Sequence, residues 1–146
     1  MKIWIDIKNS HEPLLFSTIS KELKDFEFEF TYRDFAEIKS LVKDYSIPAT
    51  EIGFRPEGNI LKRRLMFFHR VFSLFQKVPS YDVSLSHFSG HAIYASLLRR
   101  RPIIAITDND INPDNHLFLK FIDCYQDFLI IVFFFKVSYE VKKQKN

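Results

Sequence analysis

The chain has 146 residues, the size of one domain, and 47% of them are hydrophobic against 27% charged, as in a folded globular protein. A formal net charge of +3 is too small for a nucleic-acid reader, which would carry a denser basic face. The single cysteine, Cys124, excludes an internal disulfide and favours the cytoplasm. We expect no signal peptide and no bilayer-spanning helix, because the longest apolar run, residues 128–135, is far shorter than the roughly 20 residues of a span.

The first half of the chain alternates between predicted strands and helices. Residues 3–7 predict a strand buried on both faces, and Pro13 suits the first turn of a helix. Residues 26–31 alternate between Phe and polar residues, which predicts a half-buried strand nearer the sheet edge. Asp34 is placed to cap a second helix, and a short third strand is expected at residues 49–52.

Residues 60–77 predict one long amphipathic helix. Its buried stripe is expected to consist of the apolar residues at helical spacing, namely Leu61, Leu65, Phe68, Phe72 and Phe75. Its solvated edge is expected to carry the basic residues, namely Lys62, Arg63, Arg64, His69 and Arg70. A basic helix with surplus aromatic residues also suits an anionic membrane surface, so a peripheral membrane contact through Ile60–Lys77 is the alternative.

The alternation continues with a strand at residues 82–86, a helix at 90–98 and a strand at 103–107. This regular order predicts a doubly wound, Rossmann-like α/β domain with a parallel sheet and right-handed crossovers. We place that domain at residues 1–115. Residues 116–146 are expected to form an irregular or aberrant tail with one helix and one strand, the strand at residues 128–135.

Polar residues follow the first predicted strand, where the ligands of such sheets bind. Asn9 and Ser10 offer hydrogen bonds, and His11 can accept or donate a proton near neutral pH, which makes it a candidate catalytic group. The loop lacks the G-x-G-x-x-G pattern, so we expect no dinucleotide cofactor. The alternative is that Asn9 or Ser10 only shapes the turn and caps the helix.

A second candidate cluster follows the fourth strand. Ser86, Ser89 and Gly90 are predicted to bind a phosphate or sugar, and Ser89 and Gly90 begin a helix whose free N–H groups favour an anion. His87 is a second candidate catalytic group. His87 and His91 are four residues apart, but no Glu stands between them as in H-E-x-x-H, so no metal site is predicted. The alternative is ordinary helix capping.

The loop after the fifth strand supplies Asp108 as a third catalytic candidate and Asn109 as a candidate ligand-binding residue. The loop resembles the front of a calcium-binding loop, but Pro113 stands where Gly is required, which argues against calcium. The alternative is a solvated loop with helix-capping carboxylates.

Several short segments, taken in order, resemble a prokaryotic family known as domain of unknown function 354. They are W-I-D-I at residues 4–7, Asn9-Ser10, T-Y-R-D-F-A at residues 31–36, Ile52-Gly53, Ser86-His87 and T-D-N at residues 107–109. The resemblance runs from about residue 1 to 115. Family members read N-S-P-H after the first strand, whereas this chain reads Asn9-Ser10-His11-Glu12 and delays its proline to Pro13, which displaces the cleft histidine.

Members of that family look like GT-B glycosyltransferases and the related UDP-N-acetylglucosamine 2-epimerases, and they carry a second Rossmann-like domain. The resemblance implies that this chain is the N-terminal, acceptor-side half of such an enzyme. In a complete protein the substrates would be a nucleotide-sugar and an acceptor, and the chemistry would be displacement or elimination at the anomeric carbon of a sugar. The second domain supplies most nucleotide-sugar contacts, so we expect no activity from this chain alone.

Two other functions are compatible with the sequence. The chain is either a non-catalytic acceptor-binding or membrane-recruiting subunit that pairs with a separate C-terminal catalytic domain, or the product of a decayed gene. We expect it in the cytoplasm, with the inner face of the membrane as an alternative location, and we expect no nucleic-acid partner.

Overall fold

The computed structural model describes residues 1–54, 58–107 and 124–127. Within them the strands are β1 (Lys2–Ile7), β2 (Glu27–Asp34), β3 (Ala49–Phe54), β4 (Val83–Ser86), β5 (Ile103–Thr107) and β6 (Cys124–Asp127). The helices are α1 (Glu12–Glu22), α2 (Ile38–Asp44), α3 (Ile60–Lys77) and α4 (Gly90–Leu98).

All six described strands are parallel and lie in the order β3-β2-β1-β4-β5-β6. The chain runs outward from β1 through β2 to β3, then crosses to β4 on the other side of β1. This is the doubly wound Rossmann order, in which ligands bind at the switch point between the two central strands. The predicted fold class is confirmed.

The predicted tail is only partly covered by the described residues. Strand β6 lies within it and pairs with β5. The strand predicted at residues 128–135 lies outside the described residues, and the division at residue 115 stays a prediction.

The central strand β1 carries the core on both faces. Ile3, Ile5 and Ile7 are fully buried in the cluster that includes the inward residues of α1 and α2. Trp4 is fully buried on the opposite face, in the cluster that includes Leu74 of α3. Two-sided burial of an apolar strand is what a parallel sheet covered by helices on both faces requires.

The second helix begins later than its sequence pattern suggests. Asp34 is the last residue of β2 and pairs with Phe54 of β3, so the prediction that it caps α2 is wrong. Ala36 then adopts a positive φ of 50°, so the backbone is neither extended nor helical at this residue. The helix starts only at Ile38, and its N-cap, Glu37, makes no side-chain capping bond.

The limits of α3 are as predicted, but its buried face is not. The predicted buried stripe is largely exposed: Leu61, Leu65, Phe68 and Phe72 are each between 55% and 67% exposed. The residues of the helix that are buried are Arg70, Val71 and Leu74. Apolar residues occur on both sides of this helix, so periodicity alone does not select the face that packs on the sheet.

The buried face of α3 is selected by an ion pair between Arg70 and Asp6. Asp6 is fully buried at the carboxyl end of β1, and Arg70 is 3% exposed, which corrects the prediction of a solvated Arg70. The Arg70 Nη1 and Nη2 atoms lie 3.0 and 2.7 Å from the two carboxylate oxygens. Burial alone would raise the pKa of Asp6, but the charge and hydrogen bonds of Arg70 outweigh it and lower that pKa.

Hydrogen bonds extend this ion pair to three other elements. The hydroxyls of Thr31 on β2 and Ser89 before α4 each donate to Asp6 at 2.9 Å. Arg70 Nε donates to the carbonyl oxygen of Ile52 on β3 at 2.9 Å. The next residue, Gly53, has a φ of 79°, and a Cβ there would lie 3.1 Å from the Arg70 side chain. Glycine therefore leaves the path of the guanidinium open.

We expect Arg70→Met to lower the free energy of unfolding by roughly 3–5 kcal/mol, because it leaves a buried carboxylate without its counter-charge. Urea denaturation measures the change. Arg64→Met, an exposed arginine on the same helix, is the matched control and should change stability by no more than about 0.5 kcal/mol. The double variant Arg70→Met with Asp6→Asn should lose less free energy of unfolding than the sum of the losses of the two single variants. Equal losses for the two arginine variants would contradict the role given to the pair.

Candidate functional site

A cleft of about 640 Å³ opens at the carboxyl ends of β1 and β2, between α3 and the start of α4. The described residues that line it are Asn9, Arg33, Phe35, Ile60, Arg63, Arg64, Phe67 and His91. Ser10 lies in the same loop as Asn9 but is not one of these described lining residues. The cleft lies beside the switch point, where doubly wound sheets bind ligands.

Three arginines give the cleft a positive wall. Arg33 at the end of β2 is oriented by its Nε, which donates to the Lys8 carbonyl oxygen at 3.1 Å, and its guanidinium lies 5.2 Å from the Phe35 ring centre. Arg63 and Arg64 come from the exposed first turns of α3. A guanidinium presents a planar set of donors that matches phosphate and carboxylate oxygens. The wall is therefore suited to an anionic group.

Another part of the cleft is aromatic and uncharged. The His91 ring packs on Phe67 with ring centres 4.3 Å apart, and Tyr94 lies edge-on to Phe67 at 5.8 Å. Burial, with the nearby charge of Arg70, lowers the pKa of His91 to about 3. His91 is therefore neutral near pH 7 and can accept a hydrogen bond, but it adds no positive charge.

A buried carboxylate lies next to the cleft at the start of α1. Glu12 is fully buried, and its two oxygens accept hydrogen bonds from the Lys8 backbone N–H at 2.6 Å and from Asn9 Nδ2 at 2.9 Å. Burial raises its pKa to about 7, although those hydrogen bonds and the Lys8 charge act in the opposite direction. His87 Nδ1 lies 3.7 Å from Glu12 Oε1.

The fold brings the two predicted histidines into contact. His11 is the exposed N-cap residue of α1, and its ring meets the buried His87 ring edge-on, with centres 5.0 Å apart. The Lys8 ammonium donates to the Phe88 carbonyl oxygen at 2.9 Å, which ties the loop after β1 to the loop after β4. His91, by contrast, points to Phe67 in the cleft rather than joining His87.

The predicted serines have structural partners. The Ser86 hydroxyl accepts a hydrogen bond from the Ser89 backbone N–H at 3.3 Å. The Ser89 hydroxyl caps α4 through Ala92 N and donates to Asp6. Gly90 is the first residue of α4. Ser89 therefore has the helix-capping role that the sequence analysis gave as the alternative.

The predicted residues Asp108 and Asn109 lie outside the described residues. Seven residues at the site were not assigned to it from the sequence, namely Glu12, Arg33, Phe35, Ile60, Arg63, Arg64 and Phe67. Ligands of such sheets bind at the carboxyl ends of the strands, and Arg33 lies at that end of the second strand. Arg33 could have been found by examining this strand end as well as those of the first, fourth and fifth strands.

Three solved structures that resemble this chain are complexes with UDP or UDP-GlcNAc. Anabaena HepE in complex with UDP and glucose shares 18% identity at a TM-score of 0.52, over 78% of this chain and 31% of its own. UDP-GlcNAc 2-epimerase from Neisseria meningitidis, bound to UDP-GlcNAc, shares 13% identity at a TM-score of 0.55. The match covers 73% of this chain and 32% of the epimerase chain. A HepE complex with UDP alone gives 17% identity and a TM-score of 0.53, over 83% and 35%.

These likenesses define the fold class, a Rossmann-like domain of the GT-B type, as predicted. The chain spans about a third of the length of each of those structures. Residues 1–130 match the family described as "Protein of unknown function (DUF354)", and the chain belongs to that family. No curated protein matches the sequence. None of the described helices combines the length and apolarity of a bilayer span.

The raised pKa of Glu12 predicts a pH dependence of stability. The folded state takes up a proton near pH 7 and the unfolded state near 4.5, so the contribution of Glu12 to the free energy of unfolding should fall by about 3 kcal/mol as pH rises through that window. The lowered pKa of His91 makes a contribution of the opposite sign over much of the same range. Urea denaturation of the native chain and of Glu12→Gln should show that the difference between their free energies of unfolding falls by about this amount as pH rises, because the His91 contribution is common to both. The exposed Glu22→Gln is the matched control. Parallel pH profiles for Glu12→Gln and the native chain would contradict the assignment.

Proposed function

We propose that the chain is the acceptor-side half of a GT-B-like enzyme, a glycosyltransferase or a sugar-nucleotide epimerase, and that it binds an anionic acceptor. The observation that carries the proposal is the cleft walled by Arg33, Arg63 and Arg64 at the carboxyl ends of the strands. The fold it shares with proteins that bind UDP and UDP-GlcNAc supports the reaction class. The proposal assigns the nucleotide-sugar contacts to a second domain.

Each wall of the cleft has a distinct task in this proposal. The arginines hold the phosphate or carboxylate of the acceptor through charge-assisted hydrogen bonds. Phe35 and Phe67 offer flat apolar surfaces to the rest of the acceptor. The neutral ring of His91 can accept a hydrogen bond from a hydroxyl of the acceptor, but its low pKa makes it a poor base. His11, His87 and Asp108 stay the candidates for the base that receives the proton of the attacking hydroxyl.

The proposal predicts anion binding without turnover. Titration calorimetry with inorganic pyrophosphate should show binding that weakens at least tenfold in Arg63→Gln with Arg64→Gln, since a hydrogen bond to a charged group contributes about 1.5–3 kcal/mol. Lys62→Gln with Lys77→Gln removes the same charge from α3 without touching the lining residues and is the matched control. The same protein mixed with UDP-N-acetylglucosamine should give no product.

Two outcomes would contradict this prediction. Equal pyrophosphate affinity for the two double variants would remove the arginine wall as the anion site. Product formation by the chain alone at enzymatic rates would show that it is not a half-enzyme.

A second candidate function rests on the outer face of α3. Leu61, Leu65, Phe68 and Phe72 are spaced four, three and four residues apart, so they form one straight exposed apolar stripe. The basic residues Lys62, Arg63 and Arg64 share the first turns of the same helix. An apolar stripe bordered by cations suits an anionic membrane surface. This observation favours a recruiting subunit that brings an acceptor or a separate catalytic domain to the membrane.

Vesicle flotation tests the second candidate. The chain should float with vesicles that contain phosphatidylglycerol and not with pure phosphatidylcholine. Phe68→Ser with Phe72→Ser should weaken binding at least tenfold, because a buried aromatic side chain contributes about 1.5–3 kcal/mol. Leu14→Ser with Leu98→Ser, which changes two exposed leucines of other helices, is the matched control. Absence of flotation, or equal losses in the two variants, would exclude α3 as a membrane contact.

A further inference from the structure

We propose that His11, Glu12 and His87 form a binding site for a transition-metal ion, with Zn²⁺ as the expected occupant. The site lies at the switch point between β1 and β4. It uses His11 and Glu12 from the start of α1, which follows β1, and His87 from the loop after β4, and it is separate from the arginines of the cleft.

The three side chains are close enough to share one ion. A ligand atom from each residue lies within 4.8 Å of those of the other two. Ligands bound tetrahedrally at roughly 2.0–2.1 Å lie roughly 3.3 Å from one another. The 3.7 Å between His87 Nδ1 and Glu12 Oε1 is already near that spacing. His11 is exposed and can rotate to close the remaining distance.

The carboxylate is held in place before any ion binds. Glu12 accepts hydrogen bonds from the Lys8 backbone N–H and from Asn9 Nδ2, the kind of outer contacts that orient metal ligands. Each of these carboxylate oxygens keeps a further lone pair. Two imidazoles and one carboxylate are the three-ligand set of open zinc sites, which leave a fourth position for water or substrate.

The surrounding charges select the kind of ion. The Lys8 ammonium is close by, bonded to the Phe88 carbonyl, and it opposes any cation held by charge alone. The Asp6 carboxylate, whose charge acts on Glu12, is paired with Arg70. Ions such as Mg²⁺ and Ca²⁺ require several oxygen ligands, which this set does not offer. Ions that bond to imidazole nitrogen, such as Zn²⁺ and Co²⁺, suit it better.

The ion would stand beside the cleft, because Asn9 both lines the cleft and holds Glu12. Metal binding is nevertheless a separate property from acceptor binding. Pyrophosphate affinity reports the arginine wall, and metal affinity reports the histidine cluster, so the failure of one proposal leaves the other standing.

The test is a metal titration of the full chain without a histidine tag. Calorimetry with Zn²⁺ should show one ion per chain, and Co²⁺ should give the visible absorption of a low-coordinate nitrogen site. His11→Ala should weaken Zn²⁺ binding at least tenfold, since it removes one of three ligands without removing any side-chain cap of α1. His69→Ala, an exposed histidine of α3, is the matched control and should leave the affinity unchanged. Excess Mg²⁺ should not compete.

His87→Ala is the second variant, and its thermal unfolding shows whether it still folds. If it folds, it should lose Zn²⁺ binding as His11→Ala does, and retained binding would contradict the site. If it does not fold, His11→Ala decides. The proposal is overturned if the native chain binds no Zn²⁺ stoichiometrically, or if His11→Ala and His69→Ala bind it equally well.

Discussion

The buried pair of Asp6 and Arg70 determines how the helices sit on the sheet. Two charges removed from water carry a large desolvation cost, and only a well-satisfied geometry offsets it. Here the carboxylate accepts hydrogen bonds from Arg70, Thr31 and Ser89. These donors come from β2, α3 and the N-cap of α4, so one side chain at the end of β1 fixes three other elements.

The cleft and the exposed stripe both follow from this pair. Because Arg70 must face Asp6, the opposite side of α3, with Leu61 and Phe68, is left toward solvent. The same rotation places Arg63 and Phe67 on the wall of the cleft. The charge of Arg70 also helps to keep His91 neutral. The ion pair therefore shapes the acceptor-side surface without lying on it.

Strands and helices could be predicted because each follows a local pattern, such as the buried run at Ile3–Ile7 or the cap at Ser89. The buried face of α3 could not be predicted, because the helix carries apolar residues on several sides. Only the ion pair with Asp6, which is distant in sequence, selects the face that packs on the sheet. The contact between His11 and His87 could be predicted, because the carboxyl ends of parallel strands lie at the same edge of the sheet. Glu12 carries no sequence signal for burial, so the cluster it completes was not expected to bind a metal.

The chain belongs to the DUF354 family and has the fold of one half of a GT-B-like protein. The proposed half-enzyme requires a second domain for its nucleotide-sugar. The most direct measurement is the DNA sequence of the gene beyond the codon for Asn146, read in all frames. We expect it to encode a second Rossmann-like domain. No such domain downstream would contradict the half-enzyme and favour a binding module or a decayed gene.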